Sequence, residues 1–174
     1  MKQVITPATG KLGILIPGLG AVATTFIAGV EAVKKGIAKP IGSLTQMGNI
    51  RLGKRTEDRY PRINEFVPLA DLNDIAFGGW DLYEDNVYES AVNAKVLDLP
   101  LLQSIKTELE AIKPMKAVFD KSYVSNLDGV NVKTGPTKYD LAMQVIEDIE
   151  NFKIQNGCNR VVMVWCGSTE KYIQ

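Results

Sequence analysis

The chain has 174 residues, enough for one domain with its own core. Hydrophobic residues make up 45%, which sets it apart from a disordered segment, and no apolar run reaches the roughly 18 residues of a membrane span. Twenty basic and twenty acidic side chains cancel, so overall charge gives no case for nucleic acid or an anionic membrane as a partner.

Residues 12–17, LGILIP, are a short apolar run bounded by glycines and predict a buried parallel strand. A glycine-rich turn follows. Then Val22, Phe26, Val30 and Val33 recur at helical spacing and predict the buried face of a helix, closed by Gly36 and Pro40. Residues 36–62 hold four glycines and two prolines without periodicity and predict a long excursion, with a short strand at SLTQM.

Ile75 to Trp80 predicts the next strand, with Asp81 just past its end. Two helices are expected after it. The first carries Val87, Ala91 and Ala94, and the second carries Leu101, Leu102, Ile105, Leu109 and Ile112 up to Pro114. MKAVF reads as a short extended piece. Residues 137–156 give the clearest helix: Thr137 and Asp140 form a capping box, Leu141, Val145, Ile149 and Phe152 form the stripe, and Asn156-Gly157 is the stop. A second apolar strand, Val161 to Trp165, breaks at Gly167. Strands alternating with helices predict an α/β fold, a Rossmann-like doubly wound parallel sheet.

The turn Gly18-Leu19-Gly20-Ala21-Val22-Ala23 fits G-x-G-x-x-A, the alanine-ended dinucleotide fingerprint. Gly18 permits the sharp turn, Gly20 lets a pyrophosphate reach the backbone, and Ala23 lets the helix pack closely on the strand. The helix N-terminus offers N–H groups and a partial positive charge to phosphate. Thr24 and Thr25 add hydroxyls. The same pattern also suits a tight turn with no ligand.

The acidic residue expected about 20 positions beyond the turn is missing around Pro40 to Gln46. Asp81 is its substitute. The other reading of Asp81 groups it with Glu84 and Asp85 as acids complementing the next helix's dipole. Gly167, Ser168 and Thr169 end a predicted strand, where ligands of open parallel sheets gather.

Cys166 reads as a small buried residue, and with only Cys158 beside it no disulfide framework is expected. The N-terminus lacks a signal-peptide core, so a reducing cytoplasm is the expected location. Arg51, Lys54, Arg55, Arg59 and Arg62, tempered by Glu57 and Asp58, read as a solvated loop. The chain contains no histidine, which removes the usual neutral-pH base and the commonest transition-metal ligand, so no metal site is expected.

Five segments in order, GILIPGLGAVATT, PIGSLTQ, FGGWDLYEDNVYESA, LEAIKPMKAVFD and DIENFKIQNGCNRVVMVWCGSTE, resemble the N-terminal part of the myo-inositol-phosphate synthase family. The resemblance runs from about residue 11 to 174. It implies an NAD-binding domain of a cytoplasmic homotetramer that serves inositol and phospholipid biosynthesis.

The implied reaction turns glucose 6-phosphate into inositol 3-phosphate by internal oxidation, enolisation, aldol closure and reduction, with NAD regenerated. The resemblance places cofactor contacts at Gly18, Gly20, Ala21, Val22, Ala23 and Thr24. It places others at Asp81 on the adenosine side, at Ala117 and Val118, and at Cys166, Gly167, Ser168 and Thr169.

Two departures stand out. Ala21 to Thr24 replace a double asparagine and a further glycine common in relatives, and Cys166-Gly167-Ser168 replaces Thr-Ala-Asn. The first leaves the phosphates to backbone N–H groups and threonine hydroxyls.

Family enzymes are more than twice as long, with their catalytic lysines beyond the segment matched here. The whole chain, 1–174, is therefore expected to be an N-terminal fragment, its sheet incomplete at the C-terminus and its catalytic and tetramerisation domain absent. Lys113, Lys116 and Lys121 read as surface lysines, and no catalytic residue is assigned. The competing expectation is a stand-alone, non-catalytic dinucleotide-binding module. A small NAD-dependent reductase is disfavoured, because neither Tyr123 nor Tyr139 has a lysine four places on.

Overall fold

In the computed structural model, residues 9–125 and 127–167 are described. Four strands, β1 (Lys11–Pro17), β2 (Ile75–Asp81), β3 (Met115–Lys116) and β4 (Cys158–Met163), pair in the order β3-β2-β1-β4, all parallel. Successive connections run from β1 outward to β3 and then back across β1 to β4. That reversal is the topological switch of a doubly wound sheet, and the order is that of the first four strands of the Rossmann fold.

β1 lies between two partners and buries Gly13 to Ile16. Its even-numbered residues Ile14 and Ile16 join α1 (Ala21–Lys34), α4 (Val87–Ala94), α5 (Leu99–Ser104) and α6 (Lys106–Glu110) in one core, with Ile27, Val87, Leu102, Ile105 and Leu109. Leu15 faces the other side, where Trp80, Phe152 and Cys158 form a second core under α7 (Lys138–Gln155). Alternate side chains of one strand thus feed two layers.

α7 seats on the sheet through a recess made by missing side chains. A Cβ at Gly13 would lie 2.7 Å from the Phe152 ring, and one at Gly78 would lie 2.6 Å from it. The helix begins at the expected capping box, in which Thr137 and Asp140 satisfy each other's backbone N–H groups. Its expected stripe is the packed one: Phe152 is buried, Val145 and Ile149 pack against the same core, and Leu141 is half-buried.

Four local expectations need correction. The buried face of α1 is Ala23, Thr24, Ile27, Ala28, Glu31 and Ala32, while Val22 is 68% and Phe26 40% exposed. Small residues predominate on that face, and α1 approaches α4 more closely than it does β1; Phe26 meets the Phe77 ring edge-on at 5.5 Å, and Val30 packs partly buried against the same core. SLTQM is not a strand: Leu44–Met47 is a four-residue helix, α2, which packs against α3 (Ile63–Phe66). The single helix before Pro114 is two, α5 and α6, broken at Ile105. β4 begins at Cys158, earlier than Val161, and Val164 and Cys166 extend its ladder by donating to Leu15 and Pro17 at 2.9 and 3.0 Å.

Among the described residues no helix is long and apolar enough to cross a membrane. The tightest backbone approach in the sheet is at Gly79, where a Cβ would overlap the Ile16 carbonyl oxygen of β1. A carbonyl fixed in a central strand cannot yield as a side chain can. Gly79→Ala should therefore destabilise the fold by about 1–3 kcal/mol, read as a lower urea midpoint at unchanged slope.

Candidate dinucleotide site

All four strands run the same way, so their C-terminal ends share one rim of the sheet. Pro17, Asp81, Lys116 and the segment after β4 lie there. The glycine turn occupies the middle of that rim.

Gly18 sits at φ +87°, a left-handed conformation that favours glycine. A Cβ on it would also stand 2.6 Å from the Cα of Gly167. Gly18 and Gly167 are thus the point where the chain leaving β1 meets the chain leaving β4. Gly20 differs. Its φ is an ordinary −79°, and a Cβ there would meet nothing within 4 Å among the described residues. The absent side chain leaves open space over the turn, on the side a ligand would approach.

α1 starts at this open space. It has no side-chain cap and no acidic residue in its first turn. Gly20, Ala21 and Val22 are exposed, and no hydrogen-bond partner for their N–H groups occurs among the described residues. An uncapped 14-residue helix presents these donors with the positive end of its dipole to whatever lies over Gly20.

Ala23 is fully buried in the first core. Thr24 and Thr25 do not add ligand donors. Both hydroxyls donate back to the Ala21 carbonyl, at 3.2 and 2.7 Å, and a hydroxyl has only one hydrogen to give.

Asp81 is not the acid of the following helix. α4 is capped by Asn86, with Glu89 completing the box. The Asp81 carboxylate reaches back across the rim: Oδ2 accepts from the Leu19 N–H at 2.6 Å and Oδ1 from the Tyr83 N–H at 3.1 Å. Just before it, the Trp80 carbonyl accepts from the Gly18 N–H at 2.8 Å.

Ala117 and Val118 follow β3 on the same rim. The Ala117 N–H donates to Asn131 and its carbonyl accepts from Lys133, so its backbone is already paired; Val118 is exposed. Cys166 is half-buried beside the first core. Ser168 and Thr169 lie outside the described residues. Lys113, Lys116 and Lys121 are exposed.

Sequence reading missed Asn131. It is 5% exposed, and its Nδ2 donates to the carbonyls of Asp81 and Met115 at 3.0 and 3.2 Å. It thereby ties the ends of β2 and β3 together from a loop whose only sequence signal is one polar residue between Val130 and Val132. Trp80 carries a similar unannounced link. Its Nε1 donates to Asp148 Oδ2 at 2.6 Å, and Lys133 Nζ meets the same oxygen at 2.8 Å.

The residues present fit a dinucleotide diphosphate. Gly20 leaves open space beside the exposed turn, the helix starting there is uncapped, and a carboxylate stands at the end of the neighbouring strand.

Comparison with known proteins agrees. The family model described as myo-inositol-1-phosphate synthase, an NAD-binding domain, matches residues 12–174. Inositol-3-phosphate synthase 1 of Bacteroides thetaiotaomicron is 51% identical across 99% of this chain and 40% of its own length. Isozyme 1 of Arabidopsis thaliana is 33% identical across 93% of this chain and 34% of its own. The crystal structure of inositol-3-phosphate synthase from Caenorhabditis elegans shares the fold with a TM-score of 0.84 at 24% identity, over 94% of this chain and 35% of that one.

The chain thus spans at most two-fifths of the length of these relatives (40% for the Bacteroides protein). NAD is the dinucleotide of the matched domain, and these matches do not favour a stand-alone module. The chain belongs to the myo-inositol-1-phosphate synthase family.

Proposed function

We propose that residues 1–174 are the NAD-binding, N-terminal domain of an inositol-3-phosphate synthase. The whole enzyme would convert D-glucose 6-phosphate to 1D-myo-inositol 3-phosphate and would work as a cytoplasmic homotetramer. The observation that carries the reading is the open cradle at Gly20, set at the uncapped start of α1 on the rim of the sheet. Bound NAD supplies the capacity to accept a hydride from the sugar and return it, which makes the net reaction an isomerisation.

This chain's own residues do the holding. The N–H groups of Gly20, Ala21 and Val22 receive the pyrophosphate, and Ala23 keeps α1 close enough for them to do so. Asp81 lies on the adenosine side, and Val118 borders it from the end of β3. Cys166 and Gly167 lie at the switch point between β1 and β4, and with Ser168 and Thr169, which lie outside the described residues, they complete the set of cofactor contacts that the family resemblance implies. Acid–base chemistry on the sugar is assigned to the remainder of the enzyme's length.

The complete product of the gene carrying this sequence should release inositol phosphate from glucose 6-phosphate only when NAD is present. No NAD-dependent product would overturn the assignment.

The cofactor itself is tested on the 174-residue chain. Titration calorimetry should show NAD binding and NADP binding at least about tenfold weaker, because the Asp81 carboxylate opposes a phosphate on the adenosine ribose. Tight NADP binding with none for NAD would contradict the reading.

Gly20→Ala separates the site from the fold. Its Cβ meets no atom of the described residues, so stability should change by no more than about 1 kcal/mol, the scale of an N-cap exchange. NAD affinity should nevertheless fall about tenfold or more, because the methyl stands in the cradle.

A further inference from the structure

The fingerprint assigns the acid beyond the glycine turn to the adenosine ribose. In this chain the acid is already engaged with the turn itself. Asp81 Oδ2 accepts the Leu19 N–H at 2.6 Å, and Leu19 lies between the two glycines with its side chain 1% exposed. The preceding N–H, that of Gly18, donates to the Trp80 carbonyl at 2.8 Å. The last two residues of β2 thus take two consecutive N–H groups of the turn. The next ones, from Gly20 onward, are left for a ligand.

We infer that Asp81 is a positioning residue: its carboxylate fixes the Leu19 peptide and thereby presets the pyrophosphate-binding N–H groups, whether or not it also touches a ribose. The inference rests on the NAD-binding reading above. A hydrogen bond to a carboxylate is roughly twice as strong as one between neutral groups, and the length of this one is typical of charge assistance. The second oxygen is steadied by the Tyr83 N–H at 3.1 Å, so the carboxylate has little freedom to turn away. Removing it would leave the Leu19 N–H without its acceptor in a buried turn, and the turn could relax out of its binding geometry.

The test uses a ligand with no ribose. Binding of inorganic pyrophosphate and of adenosine is measured for the wild-type chain, Asp81→Ala and Asp81→Asn. A positioning role predicts that Asp81→Ala weakens pyrophosphate about tenfold. Asp81→Asn, which keeps an acceptor for the Leu19 N–H, should stay within about threefold of wild type. If Asp81 serves the ribose alone, adenosine binding falls and pyrophosphate binding is the same in all three, which overturns the inference.

Amide hydrogen exchange of Leu19 in the ligand-free chain gives a readout independent of binding. Its protection should persist in Asp81→Asn and be lost in Asp81→Ala. Full protection in a folded Asp81→Ala chain overturns the inference. Should Asp81→Ala fail to fold, the Leu19 amide proton must still move upfield in Asp81→Asn as a neutral acceptor replaces the carboxylate, and an unmoved resonance overturns it. A wild-type chain that binds neither NAD nor pyrophosphate defeats the NAD-binding reading, while the exchange data still decide whether Asp81 holds the turn.

Discussion

The close approach of Gly18 to Gly167 sets the geometry of the whole rim. Two backbone segments meet there with no room for a Cβ between them. The contact is possible because β1 pairs on both sides and its neighbours β2 and β4 both run parallel to it. It occurs where the connections part to opposite faces of the sheet, so no helix covers the gap. Whereas a side chain on Gly167 would press on the Trp165 ring, one on Gly18 would push the end of β4 away from the turn. The crevice between them would then lose one wall.

The rim is held rigid from beneath. Phe152 fills the recess over Gly13 and Gly78, and from one helical turn earlier Asp148 accepts from the Trp80 indole. Lys133, with a side chain only 9% exposed, balances that carboxylate. Asn131 pins the ends of β2 and β3. No buried side-chain polar atom among the described residues lacks a partner. These links converge on Trp80 and Asp81, the two residues whose oxygens hold the glycine turn. A turn so anchored loses little freedom when a ligand arrives, which is how a site made mainly of backbone N–H groups gains affinity.

Legibility in the sequence followed the physics of each element. β1 and α7 were readable because each is governed by one strong local rule: a continuous apolar run for a strand buried on both faces, and a capping box with a clean stripe for the helix. The glycine turn was readable because its residues are dictated by backbone conformation and clearance. The face of α1 was misread at Val22 and Phe26 because spacing alone favours bulky residues, while Val30 at the same spacing does pack partly buried against the core. The real contact selects small residues at neighbouring positions, and closeness of packing is a tertiary property. α2 was misread for a related reason: a four-residue helix has no period to detect, and its packing partner α3 lies some twenty residues on. The position of Asp81 was found, but its partner was not, since a bond to Leu19 across 62 residues leaves no local trace.

The chemistry of this rim also bears on what it leaves to others. Among the described residues the rim presents backbone N–H groups and one carboxylate already engaged with them, a chemistry suited to binding and orienting a dinucleotide rather than to moving protons. Beside the turn, the β4 segment carries Val162, Met163, Val164 and Trp165, alternating between the two faces and all between 40% and 66% exposed, on the strand at the sheet's edge among the described residues. Contiguous exposed apolar side chains on an edge strand are a liability unless something covers them. An apolar edge beside the glycine turn is therefore, among the described residues, a surface with much to gain from being covered.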